Sequence, residues 1–293
     1  MAAWTRRDWL RRGAKLSLAA GAFYGLFRWF ESHTVFQPYA RFWAEGSALD
    51  RPWEDVYFTT SDGVRLNGWH FPAKPEPPRR PWTVLLCHGN AGNISHRLSL
   101  YSALLEAGVS VFAFDYRGYG RSAGRPSERG TYLDAEAAHA WLRQQGVAPS
   151  NILAYGDSLG GGVVSELALR QTLGGLVLQS TFTSVTDLGS EVFPWLPVRT
   201  LGRIKYDTLG KLPRIAVPVL VMHAKGDQLV PFHHAEKLYA AARQPKLFGD
   251  LAGGHNDVLE ADRARFIANV TAFLKLAEAG PPTPPSPPLD TGR

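Results

Sequence analysis

From residue 82 onward the chain alternates short, almost uninterrupted apolar runs with longer stretches whose apolar residues recur three or four apart. The runs at 83–87, 109–114, 152–155, 175–179, 219–223 and 246–251 read as strands, with helices expected at about 95–107, 131–145, 232–241 and 258–276 and one directly after residue 158. Continuous rather than alternating apolarity means that both faces of these strands are buried, so the expected fold is α/β: a mostly parallel sheet with helices on both faces. Ahead of it, 54–60 and 65–71 are β-like and are joined by Ser61-Asp62-Gly63, a hairpin signal. A charged, proline-rich loop follows at 72–81.

The pattern is broken most sharply at Gly156-Asp157-Ser158-Leu159-Gly160, set between an apolar run and a helix-like segment. Strand, tight turn with serine at its apex, then helix is the context of a nucleophile elbow. The Leu159 N–H, at the helix start, supplies half an oxyanion hole, aided by the helix dipole. A reactive serine needs a base, and the base needs a carboxylate. Asp227 follows the apolar run ending at His223, and His255 follows Gly253-Gly254 after the last strand. Both therefore stand at carboxyl ends of strands, where such groups belong in open α/β sheets. The second oxyanion donor is expected after the 83–87 strand, in His88-Gly89-Asn90-Ala91-Gly92-Asn93. The Asn90 N–H is the first choice and Ala91 the fallback, with His88 bracing the loop. Asp115 is expected to brace its own loop through Arg117 or another base, and Asp257 to cap the last helix. His223 and the pair His233-His234 have no evident convergent partners and are read as packed or solvated, so no metal site is expected.

Composition alters this picture only at the ends. The formal net charge is +6, but five basic residues against Asp8 place +4 of it within the first fifteen positions, leaving +2 for the other 278. Nucleic-acid binding is therefore excluded as a reading. The single cysteine, Cys87, rules out an internal disulfide and lies in an apolar run, as a packing residue would. Residues 16–27 are uncharged after the basic stretch, fewer than the ~20 that span a bilayer, although the run lengthens if Trp29 and Phe30 are counted and Arg28 snorkels. Residues 1–31 are read as a membrane anchor outside the folded domain, with an export signal of the twin-arginine type as the alternative. For a spanning anchor, charge asymmetry places the catalytic domain outside the cytoplasm. The divisions are 1–31 anchor or signal, 32–52 connector, 53–279 catalytic domain and 280–293 disordered proline-rich tail. Deletion of 1–31 should leave a soluble, active domain.

Taken together, Ser158, Asp227 and His255 in that order, with the His88-Gly89-Asn90-Ala91-Gly92-Asn93, Asp115-Tyr116-Arg117-Gly118-Tyr119-Gly120 and Gly254-His255-Asn256-Asp257 segments, resemble the bud-emergence family of membrane-associated α/β-hydrolases. The resemblance runs from about residue 54 to 274. It implies the α/β-hydrolase fold, those three residues as catalytic triad, an N-terminal membrane anchor and no cofactor. It leaves the substrate open among esters, thioesters on protein cysteines, lipids and peptides. An insertion at 181–212 is the expected cap, and within it Phe193, Trp195 and Leu196 are the candidate lining of an acyl pocket. The leading expectation is a serine hydrolase acting on an ester or thioester, on a lipid or an acylated protein. An iminopeptidase-type enzyme, using Asp187 and Glu191 to bind a free amine, and a non-catalytic membrane-tethered binding protein are the alternatives.

Overall fold

The computed structural model describes residues 5–73 and 80–279. The proline-rich tail and most of the charged loop expected at 72–81 lie outside these residues. Strands β1 (Glu54–Thr59) and β2 (Arg65–Phe71) form the expected hairpin, followed by β3 (Thr83–Cys87), β4 (Ser110–Phe114), β5 (Ile152–Asp157), β6 (Gly175–Gln179), β7 (Val219–Ala224) and β8 (Lys246–Leu251). Among the described residues these make one eight-stranded sheet in the order β8-β7-β6-β5-β3-β4-β2-β1. The pairings are parallel from β8 through β4, whereas β2 is antiparallel to both β4 and β1. The order reverses around β3, which lies between β5 and β4. Loops leaving β3 and β5 therefore diverge at one edge and leave a crevice between them.

The apolar runs bury both faces because successive side chains of a strand point to opposite sides. On β3, Val84 and Leu86 pack with Tyr101, Phe266 and Phe273, whereas Leu85 and Cys87 pack with Ala135, Leu142 and Val163. Helices α2 (Leu98–Glu106) and α8 (Val258–Ala279) thus cover one face, and α3 (Glu128–Gln144), α4 (Leu159–Arg170) and α7 (His233–Ala241) the other. Each Val, Leu or Phe among these side chains, fully buried, contributes about 1.5–3 kcal/mol. Cys87 is wholly buried, and desolvation raises its thiol pKa far above the ordinary value. It packs, as its apolar run indicates.

Two features depart from the sequence reading. Helix α1 runs from Arg6 to Val35, past the boundary expected at residue 31, and its last turns join the folded domain. Phe27 and Phe36 are buried, and Phe30 meets Phe193 edge-on at 5.3 Å. Glu31, paired with Arg28, accepts hydrogen bonds from the backbone N–H groups of Arg203 (2.7 Å) and Ile204 (2.9 Å). Two cap amides without other acceptors draw this carboxylate inward, and sequence spacing could not show that. Second, no helix among the described residues is long and apolar enough to cross a membrane. The charged residues at both ends of the 16–27 run cut it short, so the expected transmembrane segment has no support here.

The insertion after β6 holds α5 (Val185–Val192) and α6 (Val198–Leu201). Ser184 caps α5 by accepting from the Asp187 N–H. With the end of α1 this insertion forms a low roof over the carboxyl edge of the sheet.

Candidate active site

Strand β5 delivers Ser158 into a conformation that few non-glycine residues adopt, φ 50° and ψ −112°. Its surroundings hold it there: the Ser158 N–H donates to the Gln179 carbonyl at 2.9 Å, and Thr181 Oγ1 donates to the Ser158 carbonyl at 2.6 Å. The flanking glycines are required by packing. A Cβ on Gly156 would lie 2.5 Å from the Gly160 and Gly161 backbone, and one on Gly160 would collide with the Cys87 carbonyl on β3. The turn is thus pressed against both the helix it starts and the neighbouring strand.

His255 Nε2 lies 3.1 Å from Ser158 Oγ, and His255 Nδ1 lies 2.7 Å from Asp227 Oδ2. With Nδ1–H donating to the carboxylate, Nε2 is left as an acceptor facing the hydroxyl. His255 is delivered by a sharp turn at Gly253 (φ 83°), closed by the Gly254 N–H donating to Asp257 Oδ1 at 2.5 Å. Asp257 therefore fastens this turn rather than capping α8 through its side chain. Asp227 is fixed by its own loop, its Oδ1 accepting from the N–H groups of Leu229 (2.9 Å) and Val230 (2.8 Å). Burial pushes its pKa up, but hydrogen bonds from His223 and His255, with that from Val230, outweigh burial and hold the carboxyl well below its ordinary range.

His223, read from sequence as packed or solvated, is packed against the site itself. Its Nε2 lies 3.3 Å from Asp227 Oδ2 and 2.8 Å from the Val230 carbonyl, so Asp227 rests between two imidazoles. The signal was present as His-x-x-x-Asp across a strand end, where a turn brings positions four apart together.

Asn90 and Leu159 both line the cavity in front of Ser158. As the first residue of α4, Leu159 has no intrahelical acceptor for its N–H. The loop carrying Asn90 is braced by the segment after β4. Tyr116 Oη donates to the His88 carbonyl (2.9 Å) and Tyr119 Oη to the Asn90 carbonyl (2.8 Å), while Asp115 Oδ1 accepts from the Ile94 N–H (2.8 Å). His88 is fully buried, its Nε2 3.4 Å from Asp115 Oδ1, in the bracing role expected of it. Asp115 does not pair with Arg117. That guanidinium turns instead to Asp62 of the β1–β2 turn and Asp134 of α3, both at 2.8 Å. Asp157, in the elbow, faces Gln179 (3.5 Å) and Arg97 (3.8 Å) rather than the imidazole.

Ser158 stands between two spaces of opposite character. One is an apolar cavity of ≈ 220 Å³, walled by Phe182, Leu188, Val192, Phe193 and Val230 and by Thr34 and Val35 at the end of α1. The other is a polar groove of ≈ 500 Å³ past His255, with Gly89, His96, Arg97 and Asp157 on its sides. Of the three residues expected to line an acyl pocket, only Phe193 lines the apolar cavity beside Ser158. Trp195 and Leu196 lie in a separate apolar groove with Phe23, Leu26 and Trp29 of α1. The chain turns after Phe193 and so points them away. Arg97, Thr34 and Val35 are site residues that sequence reading missed, because nothing local marks them. The amine-binding role considered for Asp187 and Glu191 is unsupported: Asp187 is held by Thr183 and Arg199, and Glu191 by His233 and His234.

Comparison with known proteins agrees with this architecture. The family described as the alpha/beta hydrolase fold matches residues 83–208. An uncharacterized Mycobacterium tuberculosis protein, MT2364, is 44% identical over 222 residues, covering 75% of this chain and 78% of the relative. The alpha/beta hydrolase domain-containing protein WAV2 of Arabidopsis thaliana is 35% identical, covering 68% of this chain and 70% of its own. The lysophosphatidylserine lipase ABHD12 of Danio rerio is 33% identical, and the match covers 71% of this chain and 54% of that protein. Among solved structures, the Pyrococcus furiosus esterase Pf2001 superposes with a TM-score of 0.67 at 23% identity, over 82% of this chain and 97% of the esterase, a likeness of fold. Identity above 30% across more than two thirds of relatives such as MT2364 and WAV2, on top of this sheet order and elbow, means that the chain belongs to the α/β-hydrolase family.

Proposed function

We propose that the protein is a serine hydrolase that cleaves a carboxylic ester or thioester through an acyl-enzyme on Ser158. The observation carrying this reading is the continuous hydrogen-bonded line from Ser158 Oγ through the His255 ring to Asp227, at 3.1 and 2.7 Å. Ser158 Oγ attacks the acyl carbon while His255 Nε2 takes its proton. The ionised Asp227 stabilises the resulting imidazolium, and the N–H groups of Leu159 and Asn90 bind the oxyanion. The imidazolium then protonates the leaving group, and water repeats the sequence to free the acid. The fold family requires no cofactor for this chemistry.

The two spaces beside Ser158 support a division of the substrate between them. The acyl chain lies in the apolar cavity, whose small volume favours a short to medium chain, and the leaving group lies in the polar groove beside Arg97. A lipid or an acylated protein fits this division. We further propose that α1 holds the protein at a membrane, since Leu16, Leu18, Phe23, Leu26 and Trp29 are exposed along it beyond a basic start.

The test is labelling of the purified chain with a fluorophosphonate and turnover of p-nitrophenyl esters and acyl-thioesters of graded length. Ser158→Ala should lose labelling and at least about 10³-fold in turnover. Butyrate and octanoate should be cleaved faster than palmitate. Labelling that persists in the variant would remove Ser158 as nucleophile, and a palmitate optimum would remove the cavity as the acyl site.

A further inference from the structure

Outside the catalytic centre, Glu191 at the end of α5 and the adjacent His233 and His234 at the start of α7 converge. His233 Nε2 lies 3.1 Å from Glu191 Oε1, and His234 Nε2 lies 3.4 Å from Glu191 Oε2. One ligand atom from each residue can be chosen so that all three lie within 4.8 Å of one another. A tetrahedral ion with bonds of ~2.0–2.1 Å has ligand-to-ligand edges of ~3.3 Å. The two carboxylate-to-imidazole separations are of that size but run to different carboxylate oxygens, so coordination through both oxygens, or a small rotation of the Glu191 carboxylate, completes the set. The His234 side chain is fully buried, and its Nε2 meets only Glu191 Oε2, at 3.4 Å and without the geometry of a hydrogen bond. Glu191 and His233 are partly exposed, so an ion has a path in from solvent.

We infer that Glu191, His233 and His234 form a binding site for a divalent transition ion of the Zn²⁺ class, with solvent completing the coordination. Two imidazoles and one carboxylate suit such an ion and not Mg²⁺ or Ca²⁺, which take oxygen ligands. The supporting groups are in place. To ligate through Nε2, His234 must carry its proton on Nδ1, which lies 2.9 Å from Thr183 Oγ1. That hydroxyl in turn donates to Asp187 Oδ2 at 2.9 Å, giving the carboxylate-backed imidazole usual behind metal ligands. The opposite tautomer accepts the Thr183 N–H at 3.2 Å, so metal binding exchanges that bond for coordination.

The consequence is mechanical. Helix α5 supplies Leu188 and Val192 to the acyl cavity, and the loop entering α7 supplies Leu229 and Val230. An ion joining Glu191 to His233 and His234 would pin these two walls together. The site does not depend on the reaction proposed for Ser158, and its test does not use turnover. Full-length protein, treated with EDTA and dialysed, is titrated with Zn²⁺ by calorimetry and with Co²⁺ by visible absorption. One equivalent should bind, Co²⁺ should give the intense d–d bands of a tetrahedral site, and Zn²⁺ should raise Tm. Glu191→Gln and His233→Asn, both at partly exposed positions, should each weaken Zn²⁺ binding at least tenfold and remove the Co²⁺ bands. A wild-type protein that binds no stoichiometric Zn²⁺ overturns the site, as does binding left unchanged in both variants.

Discussion

His255 can take the Ser158 proton only as neutral imidazole, so kcat/KM should fall as the solution is acidified. A profile flat from about pH 5 to 9, with the chemical step limiting, would contradict a histidine base. Asp227 bears on stability as well as on rate. Its carboxyl is held below the ordinary value of 3.8, so its ionised form stabilises the folded state. That contribution is fully present above pH 3.8 and is lost as pH falls towards the depressed folded value. Asp227→Asn should therefore lower the urea midpoint at pH 7, with the gap to wild type narrowing below pH 3.8, and cut kcat by roughly 10²- to 10⁴-fold. A gap that stays constant with pH would show that the stabilisation is not electrostatic. His223 is wholly buried against Asp227, so an effect on the reaction should pass through that carboxylate. His223→Leu should lower kcat about tenfold with KM unchanged, whereas a KM effect alone would remove it as a positioning residue.

At the scale of elements, the end of α1 behaves as part of the cap. Glu31 gives two backbone N–H groups of the cap their acceptor, and Thr34 and Val35 wall the apolar cavity beside Ser158. Leaving such amides unpaired costs about 1–3 kcal/mol. Glu31→Ala should accordingly lower Tm and loosen acyl-chain selectivity while fluorophosphonate still labels Ser158. Deleting residues 1–22 should keep both activity and selectivity, because Phe27, Glu31, Thr34 and Val35 remain. Deleting residues 1–35 should admit longer acyl chains or expose the domain to aggregation. Equal behaviour of the two truncations would restore residue 31 as a true boundary.

At the scale of the molecule, exposed Phe23, Leu26 and Trp29 of α1 lie together with Trp195 of the cap, and the helix begins with a basic stretch. A protein held on a bilayer surface by such a helix should float with anionic vesicles, do so less at high salt, and be released by carbonate. Resistance to carbonate would instead favour the spanning anchor, and with it a catalytic domain outside the cytoplasm. A cut N-terminus on exported protein would favour the twin-arginine reading. The sequence by itself determined the strands, because runs such as Val84-Leu85-Leu86 bury on both faces whatever the topology. It also determined the elbow, because Gly156 serves a turn that is local in the chain, whereas the need for Gly160 comes from the Cys87 carbonyl on β3. The order Ser158, Asp227, His255 was legible for the same reason, each residue being marked by the strand end it follows. What only the tertiary structure decided lies between segments distant in sequence: Glu31 on the cap amides, His223 beneath Asp227, Tyr116 and Tyr119 on the oxyanion loop, Trp195 turned away from Ser158, and Glu191 against His233 and His234. No local pattern encodes such pairs, since their partners are set by how the sheet order folds the loops together, and a buried N–H or carboxylate takes whichever group that packing brings within reach.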